Sequence, residues 1–404
     1  MGQRAVRASR NLHKEAVSTR FVARPTRVRP YHAVRNMQAS MNSAEVRLPL
    51  ANVEPAQYHN RRLRCYHSRT GIRFEGIATP GGKRNPMLWK VRHIASRYIP
   101  WRPVRALKVG LPTRRAIKRS KRPSTSPKDW FSGVDDDTWW LMNASSREEA
   151  LANLLPKMPE VFMQELYTGS SGETTLREGF NAYRNFKRFY ETHVGPIGSC
   201  RAVLDFGCGW GRIIRFFLKD VEPERLFGVD QVEEAIRACL NTNKWCRFTL
   251  IDPQPPTPLT AEFFDLIYLY SVFSHLPEEM HWALLREFHR LLVPGGMLIA
   301  TTRARDFIHF CKSLRDDPRL REKPGWIRGS AIVFADVDAA ISAYDNGQFC
   351  YESLGGEGRW SFWGEACIPK GYVQRRWPEI FDVCDYIDDR GVCPQNIIVA
   401  RKRA

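Results

Sequence analysis

The residues whose types and spacing suit chemistry stand together in the middle of the chain. Arg201 to Phe206 (RAVLDF) reads as a short buried strand, and Gly207-Cys208-Gly209-Trp210-Gly211 follows at once. An apolar-periodic run, Arg212 to Leu218, comes next, so the order is strand, glycine turn, helix, the start of a nucleotide-binding unit. Glycines allow a tight turn and let a ligand approach bare main chain, while a helix start offers free N–H groups. The third glycine is Gly211, whereas a dinucleotide fingerprint requires it one position later, where Arg212 stands. That spacing, with Asp205 two residues before the first glycine, argues against a nicotinamide cofactor.

Two further acidic residues end strand patterns. Arg225 to Val229 runs into Asp230, about 20 residues past the turn, where a carboxylate can accept both hydroxyls of a ribose. Arg247 to Ile251 runs into Asp252, after which a proline-rich stretch keeps the chain extended. Each has a plainer role open to it: loop ordering for Asp205, an N-cap before Gln231 for Asp230, a turn for Asp252. Three carboxylates at successive strand ends favour a ligand site, because ligands of parallel sheets lie outside the carboxyl ends of the strands.

The elements that must position these groups follow in order. A helix is expected over Gln231 to Thr242, a fourth strand over Phe264 to Tyr270, and a helix over Glu278 to Leu292. Val293-Pro294-Gly295-Gly296 then leads into a fifth strand, Met297 to Thr302, and Ile380 to Ile387 and Gln395 to Arg401 form a closing antiparallel pair. The D-x-G-x-G-x-G pattern from Asp205 to Gly211, the L-x-P-G-G run from Leu292 and the closing strands together resemble the class I, Rossmann-like S-adenosylmethionine-dependent methyltransferases over roughly residues 160–402. The stretch from LYTGSSGETTLREGF, which ends at Phe180, through the closing strands is similar to bacterial stand-alone members often grouped with glycan assembly. The resemblance implies an α/β fold, a mostly parallel seven-stranded sheet with an antiparallel C-terminal strand, and S-adenosyl-L-methionine as cofactor. It places the loop backbone against the methionine part, gives Asp205 the loop and the amino group, and gives Asp252 the adenine amino group. Cofactor contacts are thus expected at Asp205, Gly207, Cys208, Gly209, Gly211, Asp230, Gln231, Asp252 and Ser271, with no metal.

Methyl transfer to oxygen or nitrogen is a direct displacement, so the protein must align the nucleophile and, for a hydroxyl, remove its proton. His275 is the candidate base, since it follows the fourth strand and its ordinary pKa lies near neutrality; a loop histidine bonded to backbone is the plainer reading. Arg303 and Asp306 are secondary candidates for acceptor contact, or helix caps. The segment 304–377 is too long for a simple connection and is expected to be a substrate-recognition insertion. Its run Gly355 to Glu365 suits a sugar-binding aromatic wall or, equally, a packed hairpin. Tyr167 to Phe180 is expected to lie over the cofactor as a lid. Tyr270-Ser271-Val272-Phe273 stands where base-N-methylating enzymes carry N-P-P-Y, which counts against a nucleic-acid substrate.

Charge divides the chain in two. Residues 1–128 hold 30 Lys+Arg against 4 Asp+Glu, while the remainder holds 32 against 39. Residues 1–86 show no sustained period and are expected to be largely disordered, resembling either a transit peptide or, the preferred reading, translated upstream sequence. Residues 87–128 mix Lys and Arg with Trp89, Tyr98 and Trp101, which suits a membrane-surface or phosphate contact; the plainer alternative is a basic linker, with Pro100, Pro103 and Pro112 preventing one long helix. Residues 129–404 are expected to form the methyltransferase domain, with its core at 195–303 and 378–402. Ten cysteines without a C-x-x-C pair read as buried thiols in a reducing compartment, and no apolar run is long enough for a transmembrane helix. The expected protein is a soluble, cytoplasmic enzyme acting on a small-molecule or glycan acceptor, without a stable nucleic-acid partner. An RNA methyltransferase using the basic arm and a non-catalytic cofactor-binding regulator are the alternatives.

Overall fold

The computed structural model of the protein describes residues 66–68, 71–73, 102–145, 149–252, 254–323, 325–355 and 362–404. Seven strands form the main sheet: β1 (Val203–Phe206), β2 (Leu226–Asp230), β3 (Arg247–Leu250), β4 (Phe264–Leu269), β5 (Leu292–Thr302), β6 (Asp382–Ile387) and β7 (Asn396–Arg401). They lie in the order β6-β7-β5-β4-β1-β2-β3, with β7 antiparallel to both neighbours and β1 to β5 parallel throughout. This is the sheet the resemblance implies. The strand order reverses at β1, so the carboxyl ends of β1 and β4 flank the crevice where ligands of such sheets bind.

Helices α1 (Arg102–Ser120), α2 (Asp136–Ala144), α3 (Val161–Thr168) and α4 (Gly172–His193) precede the sheet. In the sheet region α5 (Glu233–Thr242) follows β2 and α6 (Glu278–Leu291) follows β4. A parallel sheet covered on both faces needs apolar residues at both sets of alternating positions. In β4, Leu266 and Tyr268 enter one buried layer and Ile267 and Leu269 the other. The first layer is filled by Trp139 of α2 and by the α4 stripe Leu176, Phe180, Tyr183, Phe186 and Tyr190, whose spacing puts them on one helix face. The second is filled by Trp282, Leu285 and Phe288 of α6 together with Trp377.

Two expectations are corrected. The run after the glycine turn is a 3-10 helix, Ile214–Lys219, rather than an α-helix. Every residue from Ile214 to Leu218 is buried, so the segment is enclosed on all sides instead of presenting one stripe, and Arg215 is drawn to Asn143 Oδ1 (3.2 Å) and the Lys157 carbonyl (3.3 Å). Pro103 and Pro112 likewise do not prevent a helix, because α1 runs through both. Proline in the first turn costs no hydrogen bond, and the one forfeited at Pro112 is offset by burial of Val109 and Ala116 in the aromatic layer. Arg119 Nη1 donates to the carbonyls of Asp129, Trp130 and Ser132 at 2.9–3.2 Å.

Between β5 and β6 lie α7 (Arg305–Arg315), α8 (Val337–Asp345) and an antiparallel hairpin of Cys350–Ser353 with Gly364–Cys367. Phe307, Ile308, Val333, Phe334 and Tyr344 give this insertion a small core of its own. Most of the glycine-rich run, residues 356–361, lies outside the described residues, as do 1–65 and 74–101, where disorder and part of the basic amphipathic segment were expected. Nine cysteines are described, all as free thiols and all but Cys384 buried. Among the described residues no helix is long and apolar enough to cross a membrane.

Candidate active site

The glycine turn leaves main chain bare where β1 ends. Gly207 has φ +75°, and a Cβ there would meet Val272 Cγ2 at 2.5 Å, so any side chain would be strained and crowded at once. The N–H groups of Gly207 and Cys208 both donate to the Val229 carbonyl, at 2.8 and 3.0 Å, which ties the turn to β2. The buried Cys239 thiol donates to the Gly209 carbonyl (3.2 Å), and burial pushes the Cys208 thiol well above its ordinary pKa. Gly211 faces Cys239 and Phe248. Tyr167, at the α3–α4 corner expected to act as a lid, lies 3.6 Å from the Cβ position of Gly209.

The three carboxylates are not equivalent. Asp230 is buried at the end of β2; its Oδ2 accepts the Gly209 N–H and its Oδ1 the Val232 N–H, each at 2.9 Å. Each oxygen keeps a lone pair, enough for two hydroxyl donors, so the capping role and the ribose role are compatible. Asp205 is 2 % exposed, and its Oδ2 has no hydrogen-bond partner. Burial pushes its carboxyl up to about 7; the Tyr268 hydroxyl draws it back only in part and completes no hydrogen bond of its own. Gln231 Oε1 is buried and equally without a partner. Asp252, by contrast, is exposed and accepts the Gln254 N–H (2.9 Å), the turn role, and is not brought into the buried cluster.

At the end of β4 the backbone is strained. Ser271 has φ +61°, a conformation that non-glycine residues adopt at a cost of roughly 1 kcal/mol or more. It is held there by its N–H to Thr301 Oγ1 (2.7 Å) and by Gln395 Nε2, which donates to Ser271 Oγ (2.8 Å). The chain then makes one 3-10 turn, Phe273–His275. His275 Nδ1 lies 3.0 Å from the Gly364 carbonyl and 3.7 Å from Glu365 Oε2, and the ring stacks on Trp363 at 4.3 Å. With Nδ1–H donated to that carbonyl, Nε2 is the free acceptor. Burial lowers the His275 pKa, Glu365 opposes that and Arg303 adds to it, which favours a neutral imidazole.

Arg303, a secondary candidate, is drawn into the cluster by Glu365 (Nε to Oε2, 3.0 Å) and lies over the Phe307 ring. Asp306 is exposed on α7 and faces Arg390 at 4.0 Å. Three groups take parts that the sequence reading does not give them: Glu365, there only the end of the Gly355–Glu365 run, Glu178 and Arg212. Glu178 on α4 accepts the Tyr270 hydroxyl at 2.6 Å and pairs with Arg212 at 3.0 Å, which joins α4 to the glycine turn and to β4. In the sequence Arg212 marks only the departure from the dinucleotide spacing; a cation directly after such a turn, with an acidic residue in the preceding helix, is the signal of its ion pair.

Comparison with known proteins gives this geometry a family. A profile described as "Methyltransferase domain" matches residues 203–296, the stretch from β1 into β5 that holds the turn, the carboxylates and His275. Over residues 203–296 the chain thus matches a methyltransferase domain. The chain is 28% identical over 166 residues to the tRNA N(3)-cytidine methyltransferase METTL2 of Gallus gallus, covering 38% of this chain and 40% of that one. It is 27% identical over 153 residues to the trans-aconitate 2-methyltransferase of Delftia acidovorans, covering 37% and 56%. It thus spans about half the length of these curated relatives. Among solved structures, the N-methyltransferase NodS of Bradyrhizobium japonicum WM9 in complex with S-adenosyl-L-homocysteine aligns with 14% identity and a TM-score of 0.36, over 60% of this chain and 98% of that one. The cofactor of the family is S-adenosylmethionine, and the residues present fit it. A buried carboxylate with one oxygen unpartnered suits an ammonium group, a doubly anchored one suits a ribose diol, and bare glycine main chain suits close approach.

Proposed function

We propose that the protein transfers a methyl group from S-adenosylmethionine to a small-molecule or glycan acceptor, at oxygen, in the cytoplasm. What supports this reading is that Asp205 on β1, Asp230 at the end of β2 and His275 after β4 all belong to the carboxyl edge of the same parallel sheet, the first with an unpartnered buried oxygen and the last with its Nδ1 engaged at the Gly364 carbonyl. Bound S-adenosylmethionine supplies an electrophilic methyl group on a positively charged sulfur. Asp205 then pairs with the ammonium, Asp230 with the ribose hydroxyls, and the 207–211 main chain, Cys208, Gln231 and Ser271 line the nucleoside, with Asp252 at the rim for the adenine edge. His275 Nε2 accepts the acceptor hydroxyl proton, and Trp363 shields one ring face from water. The part of the chain from residue 129 on has more acidic than basic groups, which suits such an acceptor better than a polyanion.

One observation favours RNA as the acceptor instead: α1 exposes Arg114, Arg115 and Lys118, a start on a phosphate-gripping arm. The test uses the full chain, methyl-labelled S-adenosylmethionine and fractionated lysate. Label in a glycan or small-molecule fraction, lost in His275→Ala, is expected. Salt-sensitive label in RNA would replace the leading reading with the second. Calorimetric cofactor binding with label in no fraction would point to a regulatory protein.

A further inference from the structure

The insertion reaches the base through three consecutive residues. Trp363 stacks on the imidazole with planes 9° apart, the Gly364 carbonyl accepts the Nδ1–H hydrogen bond at 3.0 Å, and the Glu365 carboxylate stands 3.7 Å from the same nitrogen. Glu365 is 3 % exposed, and its Oε2 is also bonded to Arg303 Nε (3.0 Å), while Ser330 Oγ donates to Oε1 (3.4 Å). Arg303 in turn is fixed from two sides, by a parallel bridge to Cys367 and by the Phe307 ring. A buried ion pair of this kind is weak as a source of stability, because desolvation cancels most of the attraction. Its position beside a histidine needs another account. The glycine between Trp363 and Glu365 is obligatory: a Cβ at Gly364 would come within 2.3 Å of the Glu352 carbonyl and 2.5 Å of the Tyr351 ring. The hairpin can therefore lay its carbonyl against His275 only with no side chain at that position.

We propose that Glu365, with its charge tempered by Arg303, is a positioning residue for His275, so that the inserted hairpin supplies the polar half of the base's machinery. This rests on the reading of His275 as the base. When Nε2 takes a proton, the imidazolium faces a carboxylate that is already dry and already oriented, so no reorganisation is needed at that moment. Arg303 keeps the same carboxylate from holding the proton permanently, because its cation disfavours a charged ring. The charged groups around the imidazole are Glu365 and Arg303, one of each sign.

The experiment follows the His275 ring in the full chain by NMR titration with ¹³C-labelled histidine, the resonance being assigned through His275→Gln. Glu365→Gln should move the midpoint down and Arg303→Gln should move it up. Opposite shifts are the signature of electrostatic positioning, because loosening of the fold would move both upward toward the ordinary value. Equal or absent shifts would overturn the proposal, as would Glu365→Gln moving the midpoint up. Failure of the underlying reading looks different. In that case both shifts appear as stated, yet His275→Ala retains full label transfer.

Discussion

Asp205 is the residue whose environment is hardest to explain without a ligand, and its protonation gives a direct test. Its pKa of about 7 lies above the ordinary carboxyl value of roughly 3.9, so the folded, ligand-free protein binds a proton that the unfolded chain releases. The stability this contributes is fully present below pH ~4 and is lost as the pH rises through 7, at about 1.4 kcal/mol per pH unit. His281 works the other way. Buried without a charged partner and held at about 3, it is neutral in the fold, so its contribution is lost as the pH falls from the ordinary histidine range toward 3. The two slopes offset each other between about pH 4 and 6.5. Denaturant melts of Asp205→Asn should therefore rise with pH across that interval more steeply than those of the natural chain. Cofactor binding has its own sign: a cationic ligand gains only when Asp205 has lost its proton. Calorimetry from pH 5.5 to 7.5 should show affinity rising with pH, and Asp205→Asn should show weak, flat binding. A flat profile in the natural chain would remove Asp205 from the cofactor site.

At the scale of elements, the glycine turn makes a claim that a double substitution separates into parts. Gly207→Ala adds a left-handed alanine, at roughly 1–3 kcal/mol, and a collision with Val272 Cγ2. Thermal unfolding should fall and cofactor affinity should drop. Val272→Ala in the same chain removes the collision but not the backbone cost, so it should restore part of the melting temperature and little of the affinity. A neutral Gly207→Ala would mean that the ligand does not use the bare turn. Strands and turn were legible because their causes are local. Val203 to Phe206 is a buried run, and the spacing of Gly207, Gly209 and Gly211 encodes a backbone shape. The 3-10 run and the helix through Pro112 were not legible, since burial of Phe216, Phe217, Val109 and Ala116 by distant elements decides them. Glu178 and Glu365 were hidden for the same reason. The Tyr270–Glu178 and His275–Gly364 contacts join residues 92 and 89 positions apart, and no periodicity reports such pairs.

At the scale of the whole molecule, the charge boundary in the sequence and the packing boundary in the structure do not coincide. The basic excess extends to residue 128, yet α1 already buries Val109 and Ala116 in the aromatic layer and Arg119 holds three carbonyls of the next turn. Removing residues 1–101 should leave the melting temperature unchanged. Removing 1–128 should lower it, since burial of Val109 alone is worth about 1.5–3 kcal/mol. If the shorter truncation melts with the longer one, residues before α1 also contribute to the fold. The same two truncations separate loss of an RNA-gripping arm from simple unfolding. The hairpin of the insertion carries a last consequence for engineering. On the proposed reading of His275 and of the insertion, the hairpin that meets the acceptor is also the one whose Trp363, Gly364 and Glu365 hold His275 in register, so partner choice and reactivity would be soldered together. A chimaera that borrows this region from another scaffold would inherit a new preference and forfeit the chemistry, unless a glycine followed by an acidic residue were grafted with it.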